Sequence, residues 1–275
     1  LLIAPAGAVV SHHTALALWG LQLPGCHPIH LSTNQRLRLR VPGIAWHRRK
    51  HQIGCREVAG VVVTGPERTI VDLATKLPWH WYVVVAEWFI GQGLTTLERL
   101  DEYLRDHHLD GVQRGRRLMR WVRERVESPL ESLVRLMILT ARLPEPSCNV
   151  EVFDAEGRFV ARVDLAYRAW RVAIEYDGRW HERSDAQRRR DRDRREHLER
   201  LGWTMVVIYD RDLDQPQTIP LRVFEALRDQ GYLGPAPVMS TMWFRWFSRA
   251  RLWSIPCHSE PLPWHESDHI SRRRG

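Results

Sequence analysis

Three carboxylates sit inside two short apolar runs: Asp164 in RVDLAY, and Glu175 and Asp177 in VAIEYDGRWH. Alternation along each run sets Asp164, Ala166, Ala173, Glu175 and Asp177 on one face of a strand pair, and Val163, Leu165, Val172, Ile174 and Tyr176 on the other. With a turn centred near Ala169 and Trp170, Asp164 pairs with Glu175 and Leu165 with Ile174. Facing carboxylates lie roughly 5 Å apart at Cβ in such a pair and repel unless a positive group comes between them. A divalent cation answers that need, and hard oxygen ligands suit Mg²⁺ or Mn²⁺, which coordinate phosphate and acidify water. Ion pairing answers it too, with Arg162, Arg171, Arg179 or the arginines further on as partners. Gly178 allows a sharp break after the second run, which brings His181 within reach as a general acid or base or a phosphate partner.

The elements that would position these groups read off the flanking sequence. SPLESLVRLMILT carries Ser128 as a cap, Pro129 at the first helical position and Glu131 completing a capping box, with apolar residues at helical spacing. That box accounts for Glu131 by itself, and a supporting catalytic role stands beside it. The pattern then turns to period two through NVEVF, the turn DAEG, FVARVDLAY, a turn near RAW and RVAIEYDG. A charged helix follows, with Ser184 and Gln187 as its box and Gly202 as its stop, then a strand in WTMVVIYD and a helix around IPLRVFEALRDQG. Alternating charges make this charged helix a solvated one, although Arg188, Arg192 and Arg195 recur at helical spacing and suit DNA phosphates.

Ahead of this α/β unit, a short helix capped by Ser11 and ended at Leu23-Pro24-Gly25 leads to strands in PIHLST, RLRLRV and IAWHRR. VVVTGPERTIVDLA passes from strand to helix with Thr64, Pro66 and Glu67 as an N-terminal signature, and two further helices follow in WHWYVVVAEWFIGQG and TTLERLDEYLRDHH. This stretch shows no grouping of chemical residues. His12, His13, His47, His51, His107 and His108 lack metal-ligand spacing and are expected at the surface or in packing.

At 275 residues two modest domains are expected: a smaller α+β region over 1–126 and an α/β domain over 127–233. The Pro-, Trp- and Arg-rich tail at 234–275 is expected to be disordered. A formal charge of +8 favours a polyanionic partner, DNA first. Nearly all of that charge is arginine, since Lys50 and Lys76 are the only lysines. Cys26, Cys55, Cys148 and Cys257 form no CxxC pair, which argues against a zinc ribbon and a disulfide framework and fits a reducing cytoplasm. No stretch has the length of a membrane span, and a membrane partner is not expected. The chain opens on Leu1 rather than Met, as a chain with a piece missing ahead of it would.

From SPLESLVRLM through RVDLAY, VAIEYDGRWH and RRRDRDRREHLERLGW, the sequence resembles a widespread bacterial domain of unknown function. That domain is related to the very-short-patch-repair (Vsr) endonucleases of the PD-(D/E)XK restriction-endonuclease-like superfamily. The resemblance implies an αβββαβ core and a metal-dependent DNA phosphodiesterase site. It implies Asp164 as the metal-binding aspartate, Glu175 and Asp177 in the second-strand acidic motif, and His181 as the histidine of Vsr-like sites. The superfamily lysine is replaced by Asp177, and Vsr-like enzymes likewise rely on histidine, which leaves Arg179 and His181 to activate water or steady charge. More loosely, AVVSHHTALALWGL and VVVTGPERTIVDLA resemble AbiEi-type antitoxin-like proteins of toxin-antitoxin systems. A winged helix-turn-helix precedes this segment in that group, and residues 1–126 are expected to lack it. The rival expectation is therefore a non-catalytic DNA-binding regulator or antitoxin-like protein with a toxin partner.

Overall fold

The structure, a computed structural model, describes residues 4–23, 28–36, 41–50, 52–177 and 185–247, without the side chains of Asp185, Gln187 and Arg188. In chain order the first elements are β1 (Val9–Val10), α1 (His12–Trp19), β2 (Ile29–Thr33), β3 (Ile44–Arg48), β4 (Cys55–Val58), β5 (Val61–Thr64) and α2 (Pro66–Leu73). Helices α3 (Trp79–Gly91), α4 (Leu97–Asp106), α5 (Val112–Leu118) and α6 (Pro129–Thr140) follow. The rest comprises β6 (Ser147–Phe153), β7 (Phe159–Tyr167), β8 (Val172–Tyr176), α7 (Asp185–Arg200), β9 (Thr204–Ile208), α8 (Thr218–Asp229) and α9 (Thr241–Trp246). The fold is α/β with two mixed sheets.

Among the described residues the chain divides into two compact units that interleave in sequence: one falls within 1–77 and 99–117, and the other within 78–98 and 118–247. In the first, five strands are ordered β3-β2-β1-β5-β4, with β2 and β3 parallel and β1 parallel to β5. Helix α1 stops at Gly20, whose φ of 116° lies in the left-handed region, so it ends before the expected Leu23-Pro24-Gly25 turn. Thr64 is the last residue of β5 and not the cap of α2; Gly65 takes the cap position, and Pro66 does stand at the first turn. The Thr64 hydroxyl instead meets that of Thr69 at 2.8 Å. Most of the expected RLRLRV strand lies outside the described residues.

In the second unit four strands are ordered β6-β7-β8-β9, antiparallel through β8 and then parallel between β8 and β9. The sequence order helix, three strands, helix, strand, helix is present as read. Ser128 caps α6 by accepting the Glu131 N–H at 3.2 Å, with Pro129 in the first turn. Helix α7 packs against β7 and β9, and its Leu198 is buried in one apolar cluster with the small residues Ala166 and Ala173. It stops at Gly202 with φ of 81°. The Ser184 capping box lies outside the described residues.

Helix α3 belongs to this second unit, so the expected boundary at 126–127 falls inside it. The tie is a buried ion pair: Arg135 of α6 donates to Glu87 of α3 and, at 2.8 Å, to Glu145. Within the stretch expected to be disordered, residues 241–246 form α9. Trp243 on α9 is fully buried and its indole N–H donates to the Met137 carbonyl at 3.0 Å, because a large aromatic with a polar edge finds both an apolar slot and an acceptor there. Residues 248–275 lie outside the described residues.

Candidate functional site

Asp164 stands near the middle of β7 and Glu175 near the end of β8. The register pairs Leu165 with Ile174 and Ala166 with Ala173, the pairing read from alternation, so Asp164 and Glu175 come next in the same frame. The backbone ladder stops there: the Tyr176 N–H is taken by Asp164 Oδ2 at 2.9 Å. That bond anchors Asp164 to the strand that carries Glu175.

Glu175 is buried. Its Oε2 accepts from Arg194 Nη2 at 2.8 Å, and its Oε1 is buried with no hydrogen-bond partner among the described residues. Burial raises the Glu175 carboxyl above its ordinary range, and the Asp164 charge adds to this while Arg194 opposes it. Asp164 is raised for the same leading reason, eased by the Tyr176 N–H and by Arg194. Asp177 follows the end of β8; it is buried and reaches Arg195 Nη2 at 3.4 Å.

Glu131 joins this group from the start of α6. Its Oε2 accepts the Glu127 N–H at 3.1 Å, one residue before the cap its sequence pattern names. Burial first, and the charge of Asp164 next, push its carboxyl up to about 7. The acid that capping explains is therefore also electrically coupled to Asp164.

Helix α7 supplies the cations. Arg194 shares a face with Leu198 four residues on, and that inward face is the signal that marks it in sequence, although Arg188, Arg192 and Arg195 were the positions read there. Arg192 is exposed, as a phosphate contact requires, while Arg195 is turned toward Asp177. The side chain of Arg188, together with Arg179 and His181, lies outside the described residues.

Among the described residues, no three of these acids bring ligand oxygens within 4.8 Å of one another. The donor set still fits a hard ion that keeps most of its waters and takes one or two carboxylates, as Mg²⁺ does. Within that set, Glu175 Oε1 is buried without a hydrogen-bond partner among the described residues.

No family model matches the chain, and no solved structure matches it. The chain is similar to two uncharacterized proteins of Mycobacterium tuberculosis, MT2308 of strain CDC 1551 / Oshkosh and Rv2248 of strain ATCC 25618 / H37Rv. Identity to each is 28% over 222 residues, covering 78% of this chain and 80% of the relative. A match that long takes in parts of both units.

One grouping escaped sequence reading. His12, His30 and His47 come together in the first unit, two of them buried, against the expectation of surface and packing histidines with no shared chemistry. The elements that carry them are joined by strand pairing between β2 and β3 and by the Ser11 N–H to His30 carbonyl bond of 3.0 Å, contacts that no local spacing encodes.

Among the described residues, no helix is long and apolar enough to cross a membrane.

Proposed function

We propose that the second unit is a Vsr-like, restriction-endonuclease-like module that hydrolyses DNA phosphodiester bonds with Mg²⁺ or Mn²⁺ in the cytoplasm. The observation that carries this reading is Glu175: a buried carboxylate beside Asp164 in the strand frame, with one oxygen held by Arg194 and the other lacking a partner among the described residues. Asp164 and Glu175 would hold the ion. A bound divalent cation would supply charge stabilisation at phosphorus and a more acidic water. Arg194 fixes Glu175 Oε2 and the Tyr176 N–H fixes Asp164 Oδ2, so each acid is oriented before anything binds. Asp177 positions water. Glu131, with a carboxyl at about 7, can hold or release a proton near neutrality. His181 keeps the proton-transfer or phosphate-stabilising role its sequence position implies, and Arg192 offers a backbone contact.

The arginine pairs support a second reading. Arg194 with Glu175 and Arg195 with Asp177 are the ion pairs of a non-catalytic DNA-binding regulator or antitoxin-like protein that uses its acids structurally. Such a protein binds DNA in a salt-sensitive way without cutting it.

Cleavage of a panel of labelled duplex, mismatched, branched and single-stranded DNAs with Mg²⁺ or Mn²⁺ separates the two. The nuclease reading expects cleavage that Asp164→Ala and Glu175→Ala each abolish while circular dichroism stays unchanged. Absence of cleavage, together with no calorimetric binding of Mn²⁺, would overturn it and leave the binding protein.

A further inference from the structure

His12 opens α1, His30 lies in β2 and His47 in β3, and one ring nitrogen from each falls within 4.8 Å of the other two. Because β2 and β3 are parallel with His30 opposite Ala45 and Ser32 opposite His47, the two strand histidines are diagonal neighbours on one face. His30 Nδ1 and His47 Nε2 are 2.9 Å apart. The His12 ring stacks on His47 with centroids 3.7 Å apart. His12 has φ of 54°, a left-handed conformation that is uncommon for a residue with a side chain, although histidine adopts it more readily than most.

The hydrogen bonds around His12 fix its tautomer. Arginine only donates. Arg49 Nη2 lies 3.5 Å from His12 Nε2, and Arg49 Nε donates to the Ser32 hydroxyl at 3.2 Å, which in turn donates to Ser11 Oγ at 2.9 Å. His12 Nε2 therefore carries a lone pair, and Nδ1 carries the hydrogen and donates to Ser11 Oγ at 2.9 Å. A metal-ligating histidine usually has one nitrogen tied to an outer partner, as His12 Nδ1 is to Ser11, and on loading the ion would take the Nε2 lone pair that Arg49 approaches at 3.5 Å. The expected Ser11 helix cap is absent in consequence, since its hydroxyl serves His12 and Ser32 instead of a helix N–H. Burial, with neighbouring His47 and Arg49, holds His12 far below its ordinary value; burial, then His30 and Arg49, brings His47 down to about 4. Neutral imidazole is the form that binds metals.

We propose that His12, His30 and His47 form a binding site for a borderline divalent transition ion of the zinc class, with the fourth coordination position open beside Arg49. Three imidazoles select such an ion over Mg²⁺ or Mn²⁺, which favour oxygen. Loading turns the rings so that their lone pairs converge. The hydrogen shared by His30 Nδ1 and His47 Nε2 moves to the outer nitrogen of whichever ring carries it, so the ligands lose no net proton. Asp72, 2.8 Å from Arg49, offsets the guanidinium charge, and the guanidinium favours an anionic fourth ligand such as hydroxide or a phosphate oxygen. This site is independent of the nuclease reading, since every residue in it belongs to the first unit.

The test uses the full chain stripped with chelator and titrated with Co²⁺, followed by displacement with Zn²⁺. One equivalent of Co²⁺ giving a visible ligand-field band that Zn²⁺ removes is expected. His47→Gln should abolish the band, and Ser11→Ala should weaken Zn²⁺ binding roughly 10- to 100-fold. X-ray absorption on the Zn²⁺-loaded wild-type chain then counts imidazole ligands, which keeps the test decisive if His47→Gln does not fold. Three imidazoles confirm the site. No stoichiometric Co²⁺ band, a band that survives His47→Gln in folded protein, or an oxygen-only shell around zinc would overturn it.

Discussion

Arg194 holds one oxygen of Glu175 at 2.8 Å while the other oxygen of that carboxylate lies buried without a partner among the described residues. Half of the carboxylate is thus committed to an ion pair and half is left for a ligand. Replacing Arg194 with alanine leaves a buried charge uncompensated. Breaking a fully buried pair costs about 3–5 kcal/mol. Since Arg194 is one-third exposed, with a side-chain accessibility of 33%, solvent screening brings the expected loss to about 1–2 kcal/mol at pH 7. Arg194→Lys should recover part of it, and the loss should shrink as pH falls and Glu175 takes up its proton. Urea unfolding at pH 7 and pH 4 measures both; equal stability of wild type and Arg194→Ala at pH 7 would show the pair to be idle.

Glu131 gives a pH dependence with a definite sign. Its carboxyl rises from an ordinary 4.5 to about 7 in the fold, so its contribution to stability is complete below 4.5 and is lost as pH climbs through 7. The span corresponds to about 3 kcal/mol at most. Asp164 and Glu175, also raised, act in the same direction. Glu131→Gln keeps an acceptor for the Glu127 N–H and should flatten the decline between pH 4.5 and 7. Melting temperatures of both proteins across that range give the comparison, and parallel curves would refute the assignment.

The Arg135–Glu87 pair offers a cleaner test of buried charge. Arg135 is fully buried, pairs with Glu87, and donates to the Trp121 carbonyl at 2.7 Å. Arg135→Met alone should cost about 3–5 kcal/mol by stranding Glu87. Adding Glu87→Gln, which still accepts the Arg123 N–H, should restore most of it. A double-mutant cycle by chemical denaturation checks this; additive losses would mean that the two residues do not act as a pair.

Trp243 anchors α9, with its ring fully buried and its indole N–H on the Met137 carbonyl. Trp243→Ala should destabilise the second unit by about 3–5 kcal/mol. Trp243→Phe should cost less, because it keeps most of the apolar contact and loses the bond to the Met137 carbonyl. Unfolding that is insensitive to both changes would contradict the burial of this ring.

Most of the second unit was legible because its signals are local. Alternation in RVDLAY and VAIEYDG sets strand faces, and with the turn it sets the Leu165–Ile174 register. Ser128, Pro129 and Glu131 mark the start of α6 within four residues of chain. Arg194 was harder to read. In a helix where nearly every second residue is arginine, charge does not distinguish the arginine facing the sheet, and only its spacing to Leu198 does.

The sequence by itself determined the order of elements, the strand frame that places Asp164 beside Glu175, and the cap that puts Glu131 at the head of α6. Tertiary structure decided which cations meet those acids, that Glu131 is coupled to Asp164, that α3 joins the second unit through Glu87, and that Trp243 is buried. It also decided that His12, His30 and His47 share one place. The division has a physical cause: periods of 2 and 3.6 and capping rules act within a few residues, whereas the three histidines are joined by sheet pairing and by one backbone bond between distant segments, which leave no mark on local spacing.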